Sequence, residues 1–241
     1  MNKKKFLLYL KLFIPPILYP TRLREILNRI LKRKKTIHHY EYEKKFYSRH
    51  AFINKAVSNY DNCRYLEIGV ANNQVFNSIP LKIENKYGVD PIEGGNYRMT
   101  SDIFFKENSN IKFDVIFIDG LHEYEQCQKD CLNAMKHLNE GGIIFFHDFL
   151  PKSYLEENVP RKQIAWTGDV WKVGVELYNS TNVDFRIINI DMGIGVLKIH
   201  KNYKYKKIEN LKNEGFKEFL EYKKKLPIIT SEEGLAFISK K

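Results

Sequence analysis

Apolar and polar residues alternate along this chain with two different periods. Between residues 60 and 200, short apolar runs bounded by turn residues recur, separated by stretches with helical spacing. The runs at 64–70 (RYLEIGV), 86–91 (KYGVDP), 113–120 (FDVIFIDG) and 141–149 (GGIIFFHDF) read as strands, the last entered through a Gly-Gly turn. Residues 124–138 carry apolar positions at helical spacing, and a further helix is expected near 170–178. Two more strands, 184–190 and 193–199, are joined by the short Asp191–Gly193 connection, which makes them an antiparallel hairpin. Strands alternating with helices specify an α/β fold with a parallel sheet. Residues 208–225 read as an exposed, Lys-rich helix.

The first 40 residues follow another pattern. Residues 6–19 are apolar but broken by Lys11 and by Pro15-Pro16, short of the roughly 20 apolar residues that a spanning helix needs. Leu23, Ile26, Leu27, Ile30 and Leu31 then share one helical face, with Arg22, Arg24, Arg29, Lys32 and Arg33 around them. A basic amphipathic helix of this kind lies in an anionic membrane surface, or docks on the protein's own core or a second subunit. No small-residue cleavage site follows, so a secretory signal is not expected. Three units result: a basic N-terminal segment (1–39), an α/β domain (40–200) and a Lys-rich C-terminal extension (201–241).

Charge and cysteine content narrow the reading. The chain of 241 residues carries +11 overall, but residues 1–35 alone hold +10, residues 200–241 hold +5, and the middle is slightly acidic. A nucleic-acid enzyme gathers positive charge around its cleft; here the cleft-bearing part is acidic, so nucleic acid is not the expected partner. Cys63, Cys127 and Cys131 are too few and too irregularly spaced for a bridge network or a zinc site, and read as buried free thiols in a reducing cytoplasm.

In open α/β sheets, ligands sit at the carboxyl ends of the strands. The run at 64–70 ends in Glu67-Ile68-Gly69-Val70-Ala71-Asn72-Asn73, and Asp90 ends the next strand, 21 residues after Gly69. That spacing suits a carboxylate on a ribose hydroxyl after a tight glycine turn. Ala71 and Asn73 stand where glycines are expected, but Ala is small and Asn tolerates left-handed backbone. Asp119 and His122 follow the strand at 113–120, and His147 and Asp148 end the strand at 141–149. Two acids and two imidazoles at neighbouring strand ends suit acid–base work or a divalent cation such as Mg or Mn. Further on, Leu150–Ala165 is a long irregular stretch that can serve as a lid. Trp166, Asp169 and Trp171 after it suit either a flat polar ligand or the anchoring of a helix, and Asp191 reads as a turn residue.

The stretch FDVIFIDGLHEYEQCQKDCLNAMKHLNEGGIIFFHD, preceded by YLEIGV, YGVDP and TSDIFF, resembles the class I S-adenosylmethionine-dependent methyltransferases. Within them it is similar to a bacterial subgroup found among polysaccharide and surface-glycan biosynthesis proteins. The resemblance covers roughly residues 60–200. It implies a Rossmann-like, seven-stranded, mostly parallel sheet with a reversed last hairpin, flanked by helices. It implies that Glu67 and Gly69, with Ala71 in the same turn, hold the methionine end of the cofactor, and that Asp90 binds its ribose. Ser101 and Asp102 would lie near the adenine, and Asp119 would face the sulfonium. Metal-dependent relatives in the wider superfamily place acids where Asp119 and Asp148 stand, which makes Mg an optional cofactor. An Asn often follows the second acid there, whereas this chain has Phe149. Without a metal, His122 or His147 beside Asp148 would act as general base.

The expected function is O-methylation of a sugar hydroxyl on a glycan precursor. The expected setting is the cytoplasm, at the inner membrane face through residues 1–35, with a second copy of the chain as a further partner. Two readings stay open beside it: a binding protein with a decayed cofactor site, and an NAD-linked sugar-modifying enzyme.

Overall fold

The computed structural model describes residues 47–239. The basic N-terminal segment, with its expected amphipathic helix and membrane contact, lies outside the described residues. Helix α1 (Arg49–Val57) leads into β1 (Tyr65–Ile68), and a short helix α2 (Gln74–Ser78) into β2 (Lys86–Val89). Then come α3 (Ser101–Glu107), β3 (Phe113–Ile118), α4 (Tyr124–Lys136) and β4 (Leu138–Phe146). After a long connection holding α5 (Tyr154–Glu157), the chain forms α6 (Trp171–Tyr178), β5 (Thr181–Ile188) and β6 (Ile194–Lys204). It closes with α7 (Phe216–Lys223), β7 (Ile228–Ile229) and α8 (Ser231–Ser239).

The seven strands form one sheet in the order β2-β1-β3-β4-β6-β5-β7. β1, β2, β3 and β4 pair in parallel, β6 runs against both β4 and β5, and β7 is parallel to β5. The expected Rossmann-like sheet with a reversed hairpin is therefore present. The hairpin turns through Asp191, Met192 and Gly193, all at positive φ. Strands buried on both faces explain the apolar runs. Leu66, Ile116, Ile118, Ile144 and Phe146 pack on one side, and Tyr65, Val115, Phe117, Ile143 and Phe145 on the other.

Three expectations change. Gly141-Gly142 is not the entry turn of β4, which starts at Leu138; Gly141, at φ 76, sits where the β3–β4 register shifts, so the pair makes a bulge. The segment 208–225 is not an exposed helix: only 216–223 is α-helical, and it buries Phe216 and Phe219, the latter against Trp171 at 5.3 Å between ring centroids. The boundary at 200 falls inside β6, and β7 and α8 extend the same sheet and core, α8 packing on α1. Cys63, Cys127 and Cys131 are free and buried, as read from their spacing. Among the described residues, no helix is long and apolar enough to cross a membrane.

Candidate active site

The carboxyl ends of β1, β2, β3 and β4 lie side by side, and the loops that leave them are packed on one another. Gly69 has φ +84, and a Cβ there would stand 2.1 Å from the Asp119 carbonyl oxygen. Only glycine lets the β1 loop cross the β3 loop this closely. Ala71 and Asn73 adopt φ +47 and +62, so the turn keeps its left-handed form without the missing glycines. Asp90 ties this turn to its own loop by accepting from the N–H groups of Ala71 (3.0 Å), Ile92 (2.8 Å) and Glu93 (2.9 Å). Burial pushes its pKa up, but these N–H groups and Arg98 outweigh it, and the carboxylate is held below its usual range. Three of its four lone-pair positions are filled from the backbone, which leaves one for a hydroxyl. The turn and this acid fit a ribose-bearing cofactor.

Glu67 lies within β1, 1% exposed, and accepts from the Tyr65 hydroxyl at 2.6 Å. Burial, opposed by that hydrogen bond, pushes its pKa up to about 8. A carboxyl whose protonated form is favoured in this way can donate as well as accept. Ser101 is buried at the start of α3, and Asp102 is exposed beside it. Gln126 on α4 donates to both, and to the buried Asp130, whose pKa burial pushes up to about 6.

The acids and imidazoles at the ends of β3 and β4 converge. His122 Nδ1 is 3.0 Å from Asp148 Oδ2 and 3.1 Å from the Trp166 carbonyl, and Nε2 is 3.5 Å from Asp119 Oδ1. Its ring stacks on Trp166 at 5.1 Å, and its side chain is 24% exposed. His147 is only 4% exposed, and its Nε2–H donates to the Asp191 carbonyl at 2.7 Å. Its Nδ1 therefore faces inward, 2.9 Å from Asp148 Oδ1 and 3.3 Å from Asp119 Oδ1. Burial works against a charged imidazole, yet Asp148 and Asp119 hold His147 well above the ordinary histidine range, and His122 is raised in the same way. Asp148 sits at φ 67, a left-handed turn that swings its carboxylate back between the two imidazoles.

A cation from another part of the chain completes the cluster. Arg49, the first residue of α1, donates to Asp119 Oδ2 at 2.7 Å and grips Asp191 with Nε (2.8 Å) and Nη2 (3.0 Å). Asp191 is thus both the turn residue read from sequence and a member of the cluster. Neither Arg49 nor Asp191 was legible as a site residue, because they stand 142 positions apart and neither belongs to a local motif. Three carboxylates face one guanidinium. Charge balances when both imidazoles carry a second proton, or when one divalent cation takes their place.

The atoms fit such a cation. Ligand atoms of Asp119, His122 and Asp148 lie within 4.8 Å of one another, and the buried His147 Nδ1 and Asp148 Oδ1 have no partner beyond each other and Asp119. Phe149, at the position where relatives often carry an Asn, is buried against Phe146, so a cation here would take His122 as its third ligand. Imidazole beside carboxylates suits Mn or Zn better than Mg.

Other features are structural. Asp169 accepts from the Tyr124 N–H at 2.7 Å and so caps α4, and it also pairs with the buried Lys172. Trp171 is fully buried. Of the trio at 166–171, only Trp166 reaches the site. Gly168 explains how: at φ +63, a Cβ there would meet the His122 carbonyl at 1.6 Å. A cleft of about 960 Å³ between Tyr60, Gly141, Lys198 and Ile238 holds none of the cluster.

Residues 85–149 match a family model described as a methyltransferase domain. That stretch resembles a methyltransferase domain. It spans Asp90, Asp119, His122, His147 and Asp148, and about a quarter of the chain. A search of curated proteins found no match. Among solved structures, an O-methyltransferase from Bacillus cereus in complex with SAH is 10% identical (TM-score 0.46), with 80% of this chain and 97% of that one covered. The SAH-bound methyltransferase PaMTH1 from Podospora anserina is 13% identical (TM-score 0.44; 78% and 99% covered). At this level of similarity these structures add nothing to the sheet order already described.

Proposed function

We propose that the chain is an S-adenosylmethionine-dependent O-methyltransferase acting on a sugar hydroxyl of a glycan precursor. The observation that carries this reading is the His122–Asp148–Asp119 cluster beside the Gly69 turn, inside the stretch that matches a methyltransferase domain. Asp90, Gly69, Ala71 and Glu67 would hold the cofactor, with Ser101 and Asp102 near its adenine. When bound, the cofactor supplies a methyl group on a sulfonium, already a strong electrophile. The protein's task is then alignment of the acceptor oxygen and removal of its proton.

His122 is placed for the second task. When the imidazole carries one proton, Asp148 Oδ2 and the Trp166 carbonyl take its Nδ1–H, and Nε2, beside Asp119, is the nitrogen that would accept the hydroxyl proton. His147 is a positioning residue: its Nε2 is spent on Asp191, and its side chain is 4% exposed. A divalent cation held by Asp119, His122 and Asp148 would instead acidify the hydroxyl directly. The sugar class rests on the resemblance alone. Calorimetric titration with S-adenosylhomocysteine tests the reading: binding by the wild type that weakens in Asp90→Asn supports it, and no binding with or without Mn refutes it.

A further inference from the structure

Among the described residues, nine large apolar side chains are exposed, and their placement is uneven. Ile83 and Tyr178 lie away from the active edge. The other seven are on the loops that leave the carboxyl ends of the strands, or beside them. Ile92 follows β2 and is 85% exposed; Leu121 follows β3 and is 53% exposed. Ile103 is in the first turn of α3, and Tyr154, Val159 and Ile164 project from the connection after β4. In the strand order β2-β1-β3-β4, these loops leave the sheet at the same edge that carries the His122 cluster. Isolated exposed apolar residues need no explanation, but a rim of them around a site marks an interaction surface.

The chain itself indicates what covers this rim. The seventh of these side chains, Tyr47, leads into α1, and Arg49 two residues later is fixed to Asp119 and Asp191. The 46 preceding residues therefore join the body at this same edge. They carry an apolar run at 6–19 and a charge of +10 within residues 1–35. An apolar rim and an adjoining apolar, strongly basic segment match one chemistry, an anionic lipid bilayer. We infer that the active-site edge docks face-down on an anionic membrane. The acceptor is then an amphiphile, anchored in the lipid and presenting its hydroxyl at the headgroup layer. This second half rests on the methyl-transfer reading; the docking face does not.

The test uses the full chain. Its native thiols are all buried, so a cysteine placed at an exposed position takes a maleimide fluorophore selectively. Ile92→Cys and Leu121→Cys report on the rim, and Ile83→Cys on the far edge. Vesicles of phosphatidylcholine with and without phosphatidylglycerol are added, then vesicles carrying an acyl-chain quencher. The inference expects binding to the phosphatidylglycerol vesicles only, a blue shift and quenching at 92 and 121, and neither at 83. Ile92→Ser, Leu121→Ser and Ile164→Ser together should lower vesicle partitioning about tenfold. Binding with all three labels still in water would mean tethering by the basic segment alone and would overturn the docking face, as would no binding at all. S-adenosylhomocysteine titration on the same samples separates the halves: immersion without cofactor binding leaves the face standing and removes the amphiphilic acceptor.

Discussion

Arg49 offers the sharpest test of how the cluster is held together. Its guanidinium is 21% exposed, and its partners Asp119 and Asp191 are 16% and 25% exposed. An exposed ion pair is worth about 0.2–1 kcal/mol, whereas removing one partner of a fully buried pair costs about 3–5 kcal/mol. Arg49 lies between these limits but serves two carboxylates, one of them through two nitrogens. Arg49→Met should therefore destabilise by about 2–3 kcal/mol at pH 7. In a domain of this size that lowers Tm by about 5–10 °C. The effect has a pH signature. Burial pushes Asp119 and Asp191 up, but His147 and Arg49 overcome it and hold both well below the usual carboxylate range. Their contribution is fully present above the unfolded value near 3.9 and fades as the pH falls below it. The Tm gap between wild type and Arg49→Met should thus narrow between pH 6 and pH 3, as measured by scanning calorimetry in matched buffers. Arg49→Lys keeps the charge but not the fork and should recover only part of the loss. A gap below about 1 °C at pH 7, or one that ignores pH, would refute this account of the cluster.

Glu67→Gln should stabilise the protein increasingly from pH 4 to pH 8, because the native acid, raised to about 8 by burial, costs stability only once the unfolded chain ionises; a gap independent of pH would contradict this. Asp90→Asn should weaken S-adenosylhomocysteine binding about tenfold or more by calorimetry, through loss of one charge-assisted hydrogen bond. Trp171→Ala should cost about 3–5 kcal/mol in denaturant unfolding, because it empties a fully buried site. Trp166→Phe, at a half-buried position, should cost about 1 kcal/mol or less. Asp148→Asn should lower Mn affinity in a competition titration, and unchanged affinity would remove it as a ligand.

The sheet was legible because its strands are buried on both faces, which forces the runs YLEI, FDVIFI and IIFF to be apolar. The hairpin was legible from the short, Gly-ending Asp191–Gly193 link. Asp119, His122, His147 and Asp148 could be found by reading strand ends. Their division of labour could not, since the bond from His147 to the Asp191 carbonyl joins residues 44 apart. Arg49 was invisible for the same reason: one arginine opening a helix of weak amphipathicity looks like surface. β7 escaped because two residues carry no period, and α7 read as exposed because the segment around it, 208–225, holds five lysines against the two phenylalanines the helix buries. Ala71 and Asn73 show the converse. Backbone form survived where the glycine signature did not, with left-handed φ at both positions.

The central claim, a cofactor site beside a cation-ready cluster, meets its most direct test in one experiment. The full chain is titrated with S-adenosylmethionine in a calorimeter, first in chelator, then with Mg, then with Mn. The account predicts micromolar binding in all three and a heat of Mn binding that Asp148→Asn abolishes while the cofactor still binds. No cofactor heat under any condition would contradict it.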